Sequence, residues 1–80
     1  MLSRAHGVLA SNPEETRAIC EQHRRAFPSG VLAQEREVLI IEAWLRSGEQ
    51  ARADTAARSF LSRYPASSHV RRVRDLVGIN

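Results

Sequence analysis

The sequence is poor in the features that cross-link small proteins or anchor them in membranes. Its single cysteine, Cys20, leaves no partner for a disulfide within the chain, so the fold must depend on packing. No apolar run approaches the roughly 18 residues that a transmembrane helix needs, and residues 1–13 lack the apolar core of a secretory signal. We therefore expect a complete chain to be cytoplasmic, and a periplasmic or envelope location if the chain is a fragment of a longer protein.

Aromatic residues, glycine and lysine are also scarce. There are four aromatic residues and four glycines, and all 12 basic residues are arginine. Alanine, leucine, arginine and glutamate dominate instead, and β-branched residues are few, which favours helices. Eighty residues suffice for one domain with a modest core. We predict a single all-α domain over residues 1–80.

Hydrophobic periodicity and helix-boundary signals divide the chain into five helices. The predicted helices span about residues 2–10, 13–27, 31–47, 49–64 and 68–77. Asn12 is a favourable N-cap with Pro13 in the first helical position. Gly48 and Gly78 are placed to end the third and fifth helices.

The third predicted helix has the broadest apolar face and carries the only tryptophan, Trp44. Its four consecutive apolar residues, 38–41, indicate contact on more than one side, so we place it between two other helices. We assign Trp44 to the core. We expect Arg36 and Glu42 on the solvated face, with Glu42 paired to Arg46 one turn later.

The second, fourth and fifth predicted helices have narrower apolar faces. The inward residues of the second are Thr16, Ile19, Cys20, His23 and Phe27. Those of the fourth are Ala53, Ala56, Ala57, Phe60, Leu61 and Tyr64. Those of the fifth are Val70, Val73, Leu76 and Val77. The alanines matter because small side chains let two helices approach closely.

The second half of the chain repeats the first at an offset of 37 residues (65 − 28), which aligns Phe27-Pro28 with Tyr64-Pro65. The same offset aligns further apolar or small positions, namely Thr16 with Ala53, Cys20 with Ala57, His23 with Phe60, and Leu39 with Leu76. Paired helices that recur with a period near 34 and close on a proline are typical of tetratricopeptide repeats.

The resemblance extends to individual positions. Gly48, Ala53 and Pro65 have the spacing of the helix-ending glycine, the small helix-B residue and the closing proline of a tetratricopeptide motif, and Trp44 takes the aromatic position of helix A. The segments FPSGVLAQER and RYPAS…VRRVRDLVG resemble repeat junctions in tetratricopeptide-like modules of bacterial envelope proteins, including the BamD and YbgF types. The resemblance covers nearly the whole chain.

The resemblance implies an architecture and a function. The architecture is a short right-handed solenoid of antiparallel helix hairpins, about two repeats plus a C-terminal capping helix. The function is a non-catalytic scaffold that binds a protein or peptide on its concave helix-A face. By family analogy the partner-binding residues are Glu35, Val38, Glu42, Arg46, Arg72 and Asp75. Because about three repeats are normally needed for stability, we expect either homo-oligomers through exposed repeat ends or a longer parent chain.

A small basic nucleic-acid-binding domain is the alternative interpretation. Residues 1–54 hold 7 arginines against 8 acidic residues, whereas residues 55–80 hold 5 arginines against 1. The strongest cluster, which could contact an anionic partner, is Arg63, Arg71, Arg72 and Arg74. No aromatic residue interleaves these arginines, and no helix-turn-helix signature is recognisable. We therefore favour the protein scaffold.

No residue set indicates catalysis, a cofactor or a metal. Glycine-rich phosphate loops, HExxH and GxSxG are absent from the sequence. Cys20 and His23 lie three residues apart, but zinc would need two more ligands, and His6 and His69 lie at opposite ends of the chain. A thiol on an inward face is usually inert. We predict no enzymatic activity, no cofactor and no metal site.

Overall fold

The structure, a computed structural model, describes residues 2–30 and 32–78. These residues contain five α-helices and no β-strand, which confirms the all-α prediction. The helices are α1 (Leu2–Gly7), α2 (Pro13–Ala26), α3 (Ala33–Arg46), α4 (Gln50–Arg63) and α5 (Val70–Val77). Within these ranges no helix combines the length and the apolar character needed to cross a bilayer. Val31, the predicted first residue of the third helix, lies outside the described residues.

The start of α2 follows the predicted capping. The Asn12 side chain accepts a hydrogen bond from the backbone N–H three residues on, at 3.1 Å, and Pro13 occupies the first turn, where no N–H donor is required. Thr16 Oγ1 then donates to the Ala5 carbonyl of α1 at 2.7 Å. α1 ends at Gly7, earlier than predicted, and the chain turns before α2 begins.

The aromatic residue that follows α2 and α4 lies outside each helix. Phe27 and Tyr64 have φ angles of −137° and −128°, because a following proline disfavours the helical conformation of the residue before it. Phe27 is 55% exposed, so its predicted inward position is wrong, whereas Tyr64 is partly buried. The other four predicted inward residues of α2 are buried: Thr16, Ile19, Cys20 and His23.

Glycines in the left-handed conformation follow α3 and α5. The φ angles of Gly48 and Gly78 are 74° and 71°, in a region that residues with a Cβ avoid. The backbone N–H of Gly48 donates to the Leu45 carbonyl at 3.1 Å, and that of Gly78 donates to the Arg74 carbonyl. Both predicted helix ends are confirmed.

The 37-residue offset is present in the local structure as well as in the sequence. It relates the first and last residues of α2 to those of α4, and the first residue of α3 to that of α5. The Phe27 N–H donates to the His23 carbonyl at 2.7 Å, and the equivalent Tyr64 N–H donates to the Phe60 carbonyl at 2.9 Å. The rings of each pair lie 5.2 and 5.1 Å apart, respectively. The same unit of two helices and a connecting turn therefore occurs twice, as α2 with α3 and as α4 with α5.

α3 is the central helix. It contacts all four others, whereas α2 and α4 do not contact each other. The contacts place α1, α3 and α5 side by side, with α2 and α4 across from them. The molecule measures 30 × 28 × 16 Å, and its smallest dimension matches two layers of helices packed about 8–10 Å apart. The right-handed superhelical path expected from the resemblance stays a prediction.

Two hydrophobic clusters form the core, and α3 contributes to both. The first contains Leu2, Ala5, Leu9, Ile19, Cys20, Leu39, Ile40 and Ala43. The second contains Val38, Ile41, Ala53, Ala57, Phe60 and Val73. Trp44 packs against both clusters but is only partly buried. It therefore belongs to the core on one side and to the surface on the other.

The close approach of α3 and α4 depends on the small side chains of α4. Ala57 is 0% exposed within the second cluster. We expect Ala57→Leu to lower the free energy of unfolding by about 1–3 kcal/mol, because extra methylene groups in a packed core force neighbouring side chains apart. Urea unfolding followed by circular dichroism measures this change. Ala18→Leu, at an exposed position of α2, is the matched control, and equal losses in both variants would contradict the prediction.

Candidate functional site

α3 presents two opposite faces to surface clefts. Residues 35, 38 and 42 face a cleft between α1 and α5, and residues 37, 40 and 44 face a groove between α2 and α4. Because a helix turns about 100° per residue, these two sets lie on opposite sides of α3. We call the surface formed by α1, α3 and α5 the odd-helix face. We call the surface formed by α2, α3 and α4 the Trp44 groove.

The cleft of the odd-helix face gathers four of the six predicted partner-binding residues. It is lined by His6, Glu35, Val38, Leu39, Glu42, His69 and Arg72. Glu35 is exposed, whereas Val38 is 5% exposed and belongs to the second core cluster, so it forms the floor. The remaining two predicted residues, Arg46 and Asp75, are exposed and lie outside this cleft.

Glu42 is buried beneath α5. Arg72 donates to Oε1 of Glu42 from Nη2 at 2.7 Å and from Nε at 3.2 Å. Glu42 is 9% exposed, so its predicted solvated position is wrong. The predicted pair of Glu42 with Arg46 is wrong as well, because α5 packs on α3 and brings in a guanidinium that lies 30 residues away in the sequence. The Glu42–Arg72 pair both ties α5 to α3 and forms one wall of the cleft.

The cleft continues in both directions along the odd-helix face. Toward α1 it shares His6 and Glu35 with a second cleft, which also contains Leu2, Ser3 and Leu32. Toward the C-terminus it shares Arg72 with a third, which also contains Ser68, Arg71, Asp75 and Leu76. We call this row of three adjoining clefts the track. Among its exposed residues are Leu32 in the first cleft, Glu35 in the first and second, and Arg71 in the third.

The arginines of the alternative anionic-partner patch are exposed but are not gathered in one site. Arg71 and Arg72 line the third cleft, and Arg74 lies outside it. The guanidinium carbon of Arg63 lies 5.8 Å from the ring centre of Tyr64, at the end of α4. Since Arg72 is also paired with Glu42, the structure assembles only part of the predicted patch.

The Trp44 groove is larger than the cleft that contains Glu42. Its volume of about 580 Å³ falls within the roughly 300–1,000 Å³ typical of ligand pockets. Its lining residues are Arg17, Glu21, Arg24, Glu37, Ile40, Trp44, Ala51, Arg52, Thr55 and Ala56. They come from three helices, so the pattern of any single helix does not reveal the groove. The sequence signal that could have indicated the groove is the single tryptophan, Trp44, on the central helix.

Two arginines flank the tryptophan in this groove. The guanidinium carbon of Arg17 in α2 lies 3.9 Å from the centre of the Trp44 ring, and that of Arg52 in α4 lies 5.0 Å away. Both distances are within the roughly 6 Å range of cation–π attraction. The ion pairs of these arginines are long, at 3.9 Å from Arg17 to Glu14 and 3.8 Å from Arg52 to Glu49. Within the described chain, the Nε atom of Arg17 is buried without a hydrogen-bond partner.

Behind the groove, Arg36 forms a buried polar network. It is 2% exposed, so its predicted solvated position is wrong. Its Nη1 donates to the Phe27 carbonyl at 2.8 Å and to His23 Nδ1 at 3.3 Å. Its Nε donates to Oε2 of Glu37 at 2.6 Å, and Oε1 of Glu37 accepts from Arg24 Nη2 at 2.6 Å. These partners compensate the charge and allow the guanidinium to be buried.

The 37-residue offset identifies what the network replaces. His23 is equivalent to Phe60, and Arg36 is equivalent to Val73, which is 0% exposed. The first unit thus holds a polar pair where the second holds an apolar pair. Comparing Arg36 with its buried equivalent is the sequence signal that could have revealed its position.

Two buried side chains, His23 and Cys20, favour their uncharged forms. Burial, and then the nearby Arg36 guanidinium, lower the pKa of His23 below its ordinary value of 6.5. Burial raises the pKa of the Cys20 thiol to about 11, so this thiol is protonated at neutral pH and a poor nucleophile. In residues 2–30 and 32–78, no three side chains of His, Cys, Asp or Glu are grouped as metal ligands.

The chain was compared with protein-family models, curated proteins and solved structures. No family model, no curated protein and no solved structure matches the chain.

The position of His23 predicts a pH dependence of stability. With a lowered pKa in the folded state, the unfolded chain binds more protons, so the free energy of unfolding falls as the pH drops through 6.5 toward the folded-state pKa. The slope is at most about 1.4 kcal/mol per pH unit for one proton. Urea unfolding at pH values from 5.5 to 7.5, about the range in which histidine rather than carboxylate titrates, measures it. We expect His23→Phe, which copies the equivalent Phe60, to reduce the slope.

His6→Gln is the control for this measurement, because His6 is exposed. We expect it to retain the slope of the unaltered chain. If His23→Phe retains the slope as well, the dependence does not originate at His23.

Proposed function

We propose that this protein is a non-catalytic scaffold that binds a peptide segment of a partner protein along the odd-helix face. The observation that carries this proposal is the row of three adjoining clefts on α1, α3 and α5, in which each cleft shares lining residues with the next. The repeated helix–turn–helix unit supports it further, because stacked helical repeats create extended binding surfaces. In the tetratricopeptide-like solenoid that we propose, this face would form the concave surface.

The chemistry of the track suggests what its partner carries. Leu32, at the α1 end, is 46% exposed and offers an apolar contact. Glu35 supplies an exposed carboxylate in the middle, and Arg71 supplies an exposed guanidinium at the far end. The complementary segment has, in order along the track, an apolar residue, a basic residue and an acidic residue.

The proposal of a non-catalytic role rests on the chemistry of the described residues. The one thiol, Cys20, is buried, and its raised pKa keeps it protonated. His23 faces Arg36 rather than a nucleophile, and burial holds it neutral.

Selection of binding peptides tests the proposal. A random 12-residue display library is panned against the immobilised protein, and selected peptides are titrated against variants. We expect Glu35→Arg to weaken peptides bound on the odd-helix face by about tenfold or more, because it places a like charge opposite the basic residue of the peptide. Glu14→Arg reverses the same charge at an exposed position of α2, away from the track, and should leave their affinity unchanged.

Two results would contradict the proposal. One is a set of selected peptides whose affinities respond equally to Glu35→Arg and Glu14→Arg, which would indicate attraction by net charge alone. The other is a failure to select any peptide together with salt-sensitive retention of duplex DNA. That second result would favour the alternative of a nucleic-acid-binding domain, with Arg71 and Arg72 as the first residues to replace.

A further inference from the structure

The Trp44 groove lies on the side of α3 opposite the odd-helix face, so the proposed scaffold function does not account for it. α2 and α4 both pack on α3 without contacting each other, which leaves a strip of α3 uncovered between them. The partly buried Trp44 lies in this strip. A tryptophan left partly exposed in a groove of this size is a typical anchor for a binding partner.

The charged residues of the groove fall into two groups. Arg24 is engaged on both sides, since Nη1 donates to Glu21 at 2.8 Å and Nη2 donates to Glu37 at 2.6 Å. Arg17 and Arg52 differ, because within residues 2–30 and 32–78 their nearest carboxylates lie beyond hydrogen-bond distance. Each guanidinium carries five N–H donors. The groove therefore holds two positive charges, one on each wall, and the terminal N–H groups of these two arginines are left for a ligand.

The position of these two guanidinium groups suits a carboxylate. Both stack toward Trp44, from α2 and from α4. Stacking on an aromatic ring restricts a guanidinium while leaving its edge free for the paired hydrogen bonds that a carboxylate accepts. A carboxylate held beside the tryptophan, at the free edges of the guanidinium groups, would meet positive charge from both walls.

The surroundings of the two arginines favour a protein segment over a polyphosphate. Ala51 and Ala56 add small apolar surfaces beside Trp44, and these match apolar side chains next to an acidic one. Glu21 and Glu37 line the same groove and would repel a continuous run of phosphates. A single acidic residue between apolar residues meets both conditions.

We propose that the Trp44 groove is a second binding site, which accepts a segment of a partner protein bearing an aspartate or glutamate flanked by apolar residues. Arg17 and Arg52 bind the carboxylate from the two walls, and Trp44 and the alanines contact its apolar neighbours. The site is independent of the odd-helix face, so one chain can hold two segments on its two sides.

The same 12-residue display library tests this site through different variants. Selected peptides are grouped according to which variant binds them more weakly, and we call those that depend on Arg17 or Arg52 groove peptides. Each groove peptide is also synthesised with glutamine or asparagine in place of its acidic residue. We expect Arg17→Gln and Arg52→Gln each to weaken groove peptides by about tenfold, the loss expected for one hydrogen-bonded charged group. The neutral form of each peptide should lose a similar factor.

Arg25→Gln and Arg58→Gln are the matched controls. They remove the same charge from exposed positions of α2 and α4 outside the groove, and we expect the affinity of groove peptides to be unchanged. As the only tryptophan, Trp44 provides a direct signal. Its fluorescence should change when a groove peptide binds and should remain constant when a peptide of the odd-helix face binds.

Three results would overturn the proposal. The first is the absence of peptides that depend on Arg17 or Arg52. The second is an equal loss of affinity in the matched controls. The third is displacement of groove peptides by inorganic phosphate or by a single-stranded oligonucleotide at the concentration of the peptide, which would make the groove a general anion site. Because Glu35→Arg reports on the odd-helix face alone, failure of either site is recognised separately.

Discussion

The burial of α3 on two sides is the constraint on which the rest of the structure depends. Both hydrophobic clusters include residues of this helix, and every other helix packs against it. Neither half of the chain therefore has a complete core without α3. The same arrangement places α3 at the floor of surface clefts on two sides, one beside α1 and α5 and one between α2 and α4, and both candidate binding surfaces arise there. Their position follows from packing four helices around one.

Features set by neighbouring residues could be predicted from the sequence. Asn12 as an N-cap, Gly48 and Gly78 as helix ends, and the number and order of the helices all depend on local chemistry. The offset of 37 residues was also visible, and it relates the bounds of α2 and α4. The inward alanines of α4 followed from the apolar pattern. On the odd-helix face, four residues of the predicted set do line one cleft.

The partners of the buried charged side chains could not be predicted from the sequence. Arg36 is buried because Phe27, His23 and Glu37 compensate its charge, and the first two reach it only after α2 and α3 have packed. Glu42 is covered because α5 supplies Arg72. A helical pattern assigns such residues to solvent, since it sees only their polarity. The Trp44 groove escaped for the same reason, because its arginines come from helices that do not contact each other.

The location of the single thiol has a practical consequence. Cys20 is 0% exposed in the first cluster, between α1, α2 and α3, and its raised pKa suppresses the thiolate. An alkylating reagent can attack it only when that cluster opens. The rate of covalent labelling at Cys20 thus reports how often the N-terminal half opens, without any engineered probe. Compared with urea unfolding followed by circular dichroism, it would tell whether the two halves open together or in turn.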